Sequence, residues 1–323
     1  MSLSATDAAF EGFRLTRRAP VAVALWALLY VVLMVATLAL MGPSLATLMA
    51  EVERLEGMAS PQPADLQSVG MLYGVLIATV LPLSLIVTAV LAAAVARAVL
   101  RPDESAFGYM RLGMDELRVL GVTLVLFVVF TLAWTLPVLV AGVIGGIATA
   151  SGQGWLWLVA VLVGLAGVAG VIWLLVRLSL AVPLVVAERR FAPFASFALT
   201  KGRVWPLLGM AVISVVMAMI VGLLGSIVVM PVTLMTGSLE RLAAFDGASM
   251  AELLQGAAPA LIAFGVINGI LSALQLAIMY APFSAAYRDL KAGCAPHGKG
   301  RGGRPPRPLI VISPKVRPRP WSP

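Results

Sequence analysis

Residues 119 to 149 read VLGVTLVLFVVFTLAWTLPVLVAGVIGGIAT, a run of 31 without one charged side chain. About 20 apolar residues in a helix cross a hydrocarbon layer roughly 30 Å thick. In lipid a single run can satisfy its own backbone hydrogen bonds only as a helix. Working outward, comparable runs lie at 20 to 41, 69 to 99, 155 to 187, 206 to 236 and 258 to 287. The expected fold is all-α, a polytopic transmembrane helical bundle of six spans. Composition agrees: 61% of the 323 residues are hydrophobic and 12% charged, against about 45–50% and about 25% in soluble domains. An ordinary soluble enzyme is excluded.

An even number of spans puts both ends of the chain on one side. The flanks there hold Arg14, Arg17 and Arg18, then Arg97, Arg101, Arg111 and Arg118, then Arg177, Arg189, Arg190, Lys201 and Arg203, and nine cations from Arg288 onward. The opposite flanks hold only Arg54 and Arg241, beside seven carboxylates. Because Lys and Arg are retained on the cytoplasmic side, both termini are expected there. The excess of Arg over Lys, with abundant Ala, Val, Leu and Gly, suggests a GC-rich bacterial genome, and hence the bacterial inner (plasma) membrane. Residues 20 to 41 exceed the roughly 7–15 apolar residues of a secretory signal and lead to no small-residue cleavage site, so they read as a retained anchor. Three regions follow: a cytoplasmic amphipathic segment, 1–19; the six-span domain, 20–290; and a basic tail, 291–323, whose Gly, Pro and Arg content predicts disorder.

A short segment with a Phe and basic residues precedes the first, third and fifth spans. Phe13, Phe107 and Phe197 are 94 and 90 residues apart, which suggests three amphipathic-helix-plus-hairpin units. In the middle copy Phe107, Met110, Met114 and Leu117 fall at helical spacing, with Arg111, Asp115, Glu116 and Arg118 on the polar flank. This predicts an amphipathic helix, either lying among headgroups or packed on the bundle. Ser4 and Asp7 fit a capping box, and Pro193 an early helical position. The outside loops, 42 to 68 and 237 to 257, read as acidic helices covering the hairpin mouths, with Leu45, Leu48, Val52 and Leu55 on one stripe.

Close approach in lipid depends on small residues, and Gly142/Gly146, Ala166/Gly170 and Gly265/Gly269 each form a small-xxx-small pair. Pro82, Pro137, Pro183, Pro231 and Pro282 lie inside runs long enough to need tilt, protrusion or a kink. Arg177 and Glu188 are the ionisable groups nearest mid-membrane, separated by Pro183, and Arg177 is expected either to snorkel, the favoured reading, or to meet another group after a kink. The sixth span carries Gly265, Asn268, Gly269, Ser272 and Gln275 on one face. That face is either a helix-packing surface tied by interhelical hydrogen bonds or the wall of a substrate path.

Catalytic chemistry finds no foothold. A single His297 and a single Cys294 form neither a metal site nor a disulfide, and no nucleophile-elbow, phosphate-loop or zinc-protease motif is present. No catalytic residue, metal or cofactor is expected. A carboxylate cluster of Asp115, Glu116 and Glu188 is the remaining enzymatic alternative. The tail lacks aromatic platforms, so nucleic acid is not an expected partner.

Three stretches carry a resemblance: Phe107 to Arg118 (FGYMRLGMDELR), Arg177 to Pro183 (RLSLAVP) and Ser196 to Pro206 (SFALTKGRVWP). With the closing APFSAAYRDL at 281 to 290, the chain from 8 to 290 resembles an uncharacterised group of alphaproteobacterial multi-pass inner-membrane proteins. That group is similar to the membrane domain fused to some glycerophosphoryl diester phosphodiesterases. The resemblance implies a six-span membrane protein, and it lends no phosphodiesterase activity because the catalytic domain is absent from this sequence.

The function these features favour is that of a non-enzymatic integral membrane protein organising lipid or a partner protein at the cytoplasmic face. Arg14, Arg17, Arg18, Arg111, Arg118, Arg189, Arg190, Lys201 and Arg203 would meet anionic headgroups. The alternative is a transporter or permease-like component for a small neutral or amphipathic molecule, built on Asn268, Ser272 and Gln275.

Overall fold

A computed structural model describes residues 5–58, 62–111, 113–235 and 250–294. Two short helices, α1 (Ala5–Ala9) and α2 (Glu11–Arg18), lead into α3 (Pro20–Glu56), which is followed by α4 (Pro63–Leu100) and α5 (Met114–Ser151). Next come α6 (Trp155–Leu178), α7 (Ala181–Glu188), the short α8 (Ser196–Leu199), α9 (Val204–Met235) and α10 (Met250–Cys294). No strand occurs among the described residues, and six segments are long and apolar enough to cross a membrane. The chain is a multi-pass helical membrane protein.

The helices outrun the apolar segments that define them. α3 continues through Pro43 to Glu56, so residues 42 to 56 extend the first span and do not form a separate cover. At about 1.5 Å per residue it is roughly 55 Å long and must project well beyond a ~30 Å core. Its predicted outer stripe divides, with Leu48 buried and Leu45 exposed. Of the other expected cover, residues 237 to 249 lie outside the described residues and 250 to 257 form the first turns of α10. That helix also carries the start of the predicted tail, from Lys291, to Cys294; residues 295–323 lie outside the described residues, as does Ser4 of the proposed capping box.

Prolines act unequally. Pro43, Pro82, Pro137 and Pro231 sit within unbroken helices, whereas the fourth run divides at Ser179 and Leu180 into α6 and α7. Pro183 lacks an N–H and its ring crowds the carbonyl four residues earlier. That carbonyl belongs to Ser179, where α6 ends.

The core lies toward the arginine-rich ends of the helices. α10 packs on α2, α3, α4 and α9. Its Ala273, Ala277, Ala281 and Ala285 are buried at every fourth position, and α4, on which it also packs, buries Ala89, Ala92, Ala93, Ala94, Ala96 and Ala98. Small side chains permit the close approach that apolar bulk cannot drive in lipid. Toward the other end Val35, Leu136, Val140, Leu162 and Leu223 face outward, where acyl chains solvate them.

Only one of the three small-residue pairs makes the expected contact. A Cβ on Gly269 would stand 2.8 Å from the Ala27 carbonyl oxygen, and one on Gly265 2.4 Å from Met34 Cε, so α10 meets α3 there. Gly142, Gly146 and Gly170 face open space, and Ala166 is exposed. The α5–α6 hairpin closes instead through Gly167 against Pro137 and Gly145 against Trp157. Spacing alone leaves undecided which face of a helix turns inward.

Candidate functional site

The predicted middle amphipathic helix does not form. Phe107, Gly108 and Tyr109 take consecutive left-handed conformations, with φ of 53°, 67° and 63°, and α5 begins only at Met114. Two of these are not glycine, at a cost of about 1–2 kcal/mol each. The turn survives because neighbouring helices hold its carbonyls. Trp26 Nε1, fully buried on α3, donates to the Gly108 oxygen at 2.9 Å, and Arg97 Nη1 on α4 donates to the Tyr109 oxygen. The Tyr109 hydroxyl donates to the Pro102 oxygen at 3.2 Å. Phe107 is left pointing outward, 77% exposed.

Arg97 is itself almost wholly buried, and its Nη2 meets Glu116 Oε1 at 2.5 Å. The other carboxylate oxygen of Glu116 accepts from the Gly113 N–H at 3.0 Å, capping α5. One buried ion pair thus joins α4, the strained turn and the first residues of α5. In the sequence alone Arg97 reads as a flank cation and Glu116 as polar surface. The available signal was the position of Arg97 inside the second apolar run, among alanines.

Around this pair, four arginines converge on two carboxylates. Glu104 lies 3.1 Å from Arg111, 3.5 Å from Arg189 and 3.8 Å from Arg101. Asp115 lies 2.7 Å from Arg118, 3.7 Å from Arg189 and 3.9 Å from Arg101. Arg101 Nη2 also donates to the Val186 oxygen at 2.8 Å, fastening α7 to the end of α4. Its Nη1 is buried without a hydrogen bond. A cleft of about 370 Å³ opens here, lined by Arg97, Arg111, Arg118, Arg189, Glu104, Asp115 and Glu116. It meets an apolar groove of about 360 Å³ between α4 and α5 at Gly113 and Glu116.

The remaining basic residues form separate groups at the same end. Buried Glu11 binds Arg14 at 3.3 Å and also Arg18, while Asp7 takes Arg14 at 2.9 Å. Arg17, Lys201 and Arg203 are exposed. α2 packs on α10, its Gly12 against the Ile278 backbone, so it is a docked helix whose outer side carries Phe13, with Phe10 exposed just before its first residue. Arg190 and Lys291 each lie 2.7 Å from Glu188, to which the Tyr287 hydroxyl also donates. The three carboxylates of the enzymatic alternative are therefore each held by cations.

Arg177 meets other groups after the break, the second of its two expected placements. Its Nη1 donates to the Phe197 oxygen at 3.2 Å, and its guanidinium stacks 5.4 Å from the Trp173 ring and 5.9 Å from the Phe197 ring. The Ser196 hydroxyl donates to its carbonyl at 2.6 Å. The break after α6 brings the α8 segment beneath this arginine.

The polar face of the sixth span is largely a packing face. Besides the two glycines against α3, Gln275 Nε2 donates to the Ala218 oxygen of α9 at 3.3 Å and fills the space beside Gly222. Ser272 is half-buried, and Asn268 is exposed. No protein-family model, curated protein or solved structure matches the chain.

Proposed function

We propose that the chain is a non-enzymatic integral protein of the bacterial inner membrane, with both termini cytoplasmic, that gathers anionic lipid or a partner protein at its arginine-rich end. One observation carries this reading. The largest exposed aromatics at that end, Phe107 at 77% and Trp205 at 80%, stand in segments that also carry half-exposed or exposed cations, Arg111, Lys201 and Arg203. Aromatic rings favour the headgroup level, and each cation near an anionic surface adds up to about 1 kcal/mol. The alternative of a transporter rests on the polar face of α10, which contacts with α3 and α9 already engage; this supports the lipid-organising role over a substrate path.

The test is lipid sorting around the intact protein. Reconstituted in nanodiscs of equal phosphatidylglycerol and phosphatidylcholine, the captured protein should hold a shell enriched in phosphatidylglycerol. Replacing Arg17, Lys201 and Arg203 with Gln should reduce that enrichment. A shell matching the input mixture would refute the proposal.

A further inference from the structure

The cleft and the groove that adjoins it have the two chemistries of a phospholipid. With Arg97 and Glu116 neutralising each other, the cleft is lined by Arg111, Arg118 and Arg189 against Glu104 and Asp115, a surplus of one positive charge, and Arg101 pairs with the same two carboxylates from behind. Arg111, Arg118 and Arg189 keep 47%, 32% and 58% of their side chains exposed. Each guanidinium offers five N–H donors in a planar fork suited to phosphate. Their present carboxylate partners consume few of these donors.

The groove supplies the other half. It is walled by Ile86, Ala89 and Val90 of α4 and by Leu117 and Leu120 of α5. At about 1.5 Å per residue, Ile86 lies roughly 16 Å along α4 from Arg97, toward the middle of the membrane. A molecule occupying both spaces therefore has an anion at the arginine-rich surface and a hydrocarbon chain running inward. Free phosphate fills the first space and leaves the second uncovered.

We infer that this cleft and groove form a specific site for one anionic glycerophospholipid, its phosphate held by Arg111, Arg118 and Arg189 and one acyl chain lying between α4 and α5. The carboxylates refine the headgroup. Glu104 and Asp115 accept hydrogen bonds, so a phosphoglycerol headgroup with free hydroxyls suits the site and a phosphocholine headgroup, which has no N–H or O–H donor, does not. The assignment rests on the arginine-rich end facing lipid, and adds a stoichiometric site to a general preference.

Native mass spectrometry of the full-length protein, stripped of loose lipid in detergent and titrated with phosphatidylglycerol, reads the site directly. One lipid should bind in preference to phosphatidylcholine. The variant R111Q/R118Q/R189Q should bind it at least about tenfold more weakly, the scale of losing charge-assisted hydrogen bonds. I86W, which obstructs the groove without touching the cleft, should weaken the lipid and leave glycerol 3-phosphate binding unchanged. Equal retention by wild type and the triple variant, or equal binding of phosphatidylcholine, overturns the site. So does glycerol 3-phosphate binding that added phosphatidylglycerol fails to displace. A protein that sorts anionic lipid in nanodiscs yet retains no single lipid refutes this site alone, whereas loss of sorting refutes the function on which it rests.

Discussion

Arg97 and Glu116 meet at 2.5 Å in the interior of the bundle, the arginine on α4 and the carboxylate in the first turn of α5. Between them the chain makes a left-handed turn whose last carbonyl is bound by the same guanidinium. The pair therefore closes a loop over itself and determines where the third span enters the membrane. The cleft above it inherits its shape from that closure, because Arg111 and Arg118 stand on either side of the α5 start.

Breaking the pair from one side should be costly. Arg97→Met leaves Glu116 buried without its cation, an effect of about 3–5 kcal/mol, while exchanging both residues for apolar ones removes most of that penalty. Unfolding in detergent should show a large loss for Arg97→Met and a smaller one for Arg97→Met with Glu116→Leu. Equal losses would place the destabilisation in the Tyr109 carbonyl and not in the stranded carboxylate.

Gly108 should resist replacement for two reasons at once. Its φ of 67° disfavours any side chain, and a Cβ would stand 3.0 Å from Leu25 Cδ1. Gly108→Ala is expected to cost about 1–2 kcal/mol. Trp26→Phe, which removes the donor to the Gly108 carbonyl and leaves a buried acceptor unpaired, is expected to cost about 1–3 kcal/mol. Both should shift thermal unfolding downward, whereas Phe107→Ala, at an outward position, should leave it nearly unchanged.

The glycines of α10 are not equivalent. At Gly269 an added methyl meets the backbone oxygen of Ala27, which cannot move aside, whereas at Gly265 it meets the flexible end of Met34. Gly269→Ala is thus expected to lower stability by about 1–3 kcal/mol, as for overpacking, and Gly265→Ala by less. Gly142→Ala and Gly146→Ala, facing open space, should be neutral or slightly stabilising through helix propensity, up to about 1 kcal/mol. Thermal unfolding of the four variants in one detergent provides the ranking.

Spans and charge asymmetry were legible because apolar length and the placement of Lys and Arg are properties of composition, readable without knowing any contact. The course of the chain between spans was less so. Phe107 and Tyr109 have no local preference for left-handed geometry, and they adopt it because Trp26 and Arg97, both distant in sequence, bind the carbonyls. The same limit applies to Gly167, which meets Pro137 although the spacing rule favoured its neighbours Ala166 and Gly170. The basic residues of the cleft read singly as surface cations. Their convergence with Glu104 required the fold of 101 to 118 to return on itself, and no periodicity encodes that return.

The sixth span offers a clean separation between packing and passage. Gln275 is bound to the Ala218 carbonyl at 3.3 Å, a long hydrogen bond between α10 and α9, and interhelical bonds of this kind contribute about 0.6–2 kcal/mol. Gln275→Leu should lower thermal stability by that amount. Asn268 is exposed on the same helix, so Asn268→Leu exchanges an amide for a side chain that lipid solvates better, and stability should hold or rise. If the face instead lined a path for a polar molecule, both substitutions would abolish flux across proteoliposomes at unchanged stability. A fall in stability confined to Gln275, with flux alike in all three proteins, assigns the face to holding α9 against α10.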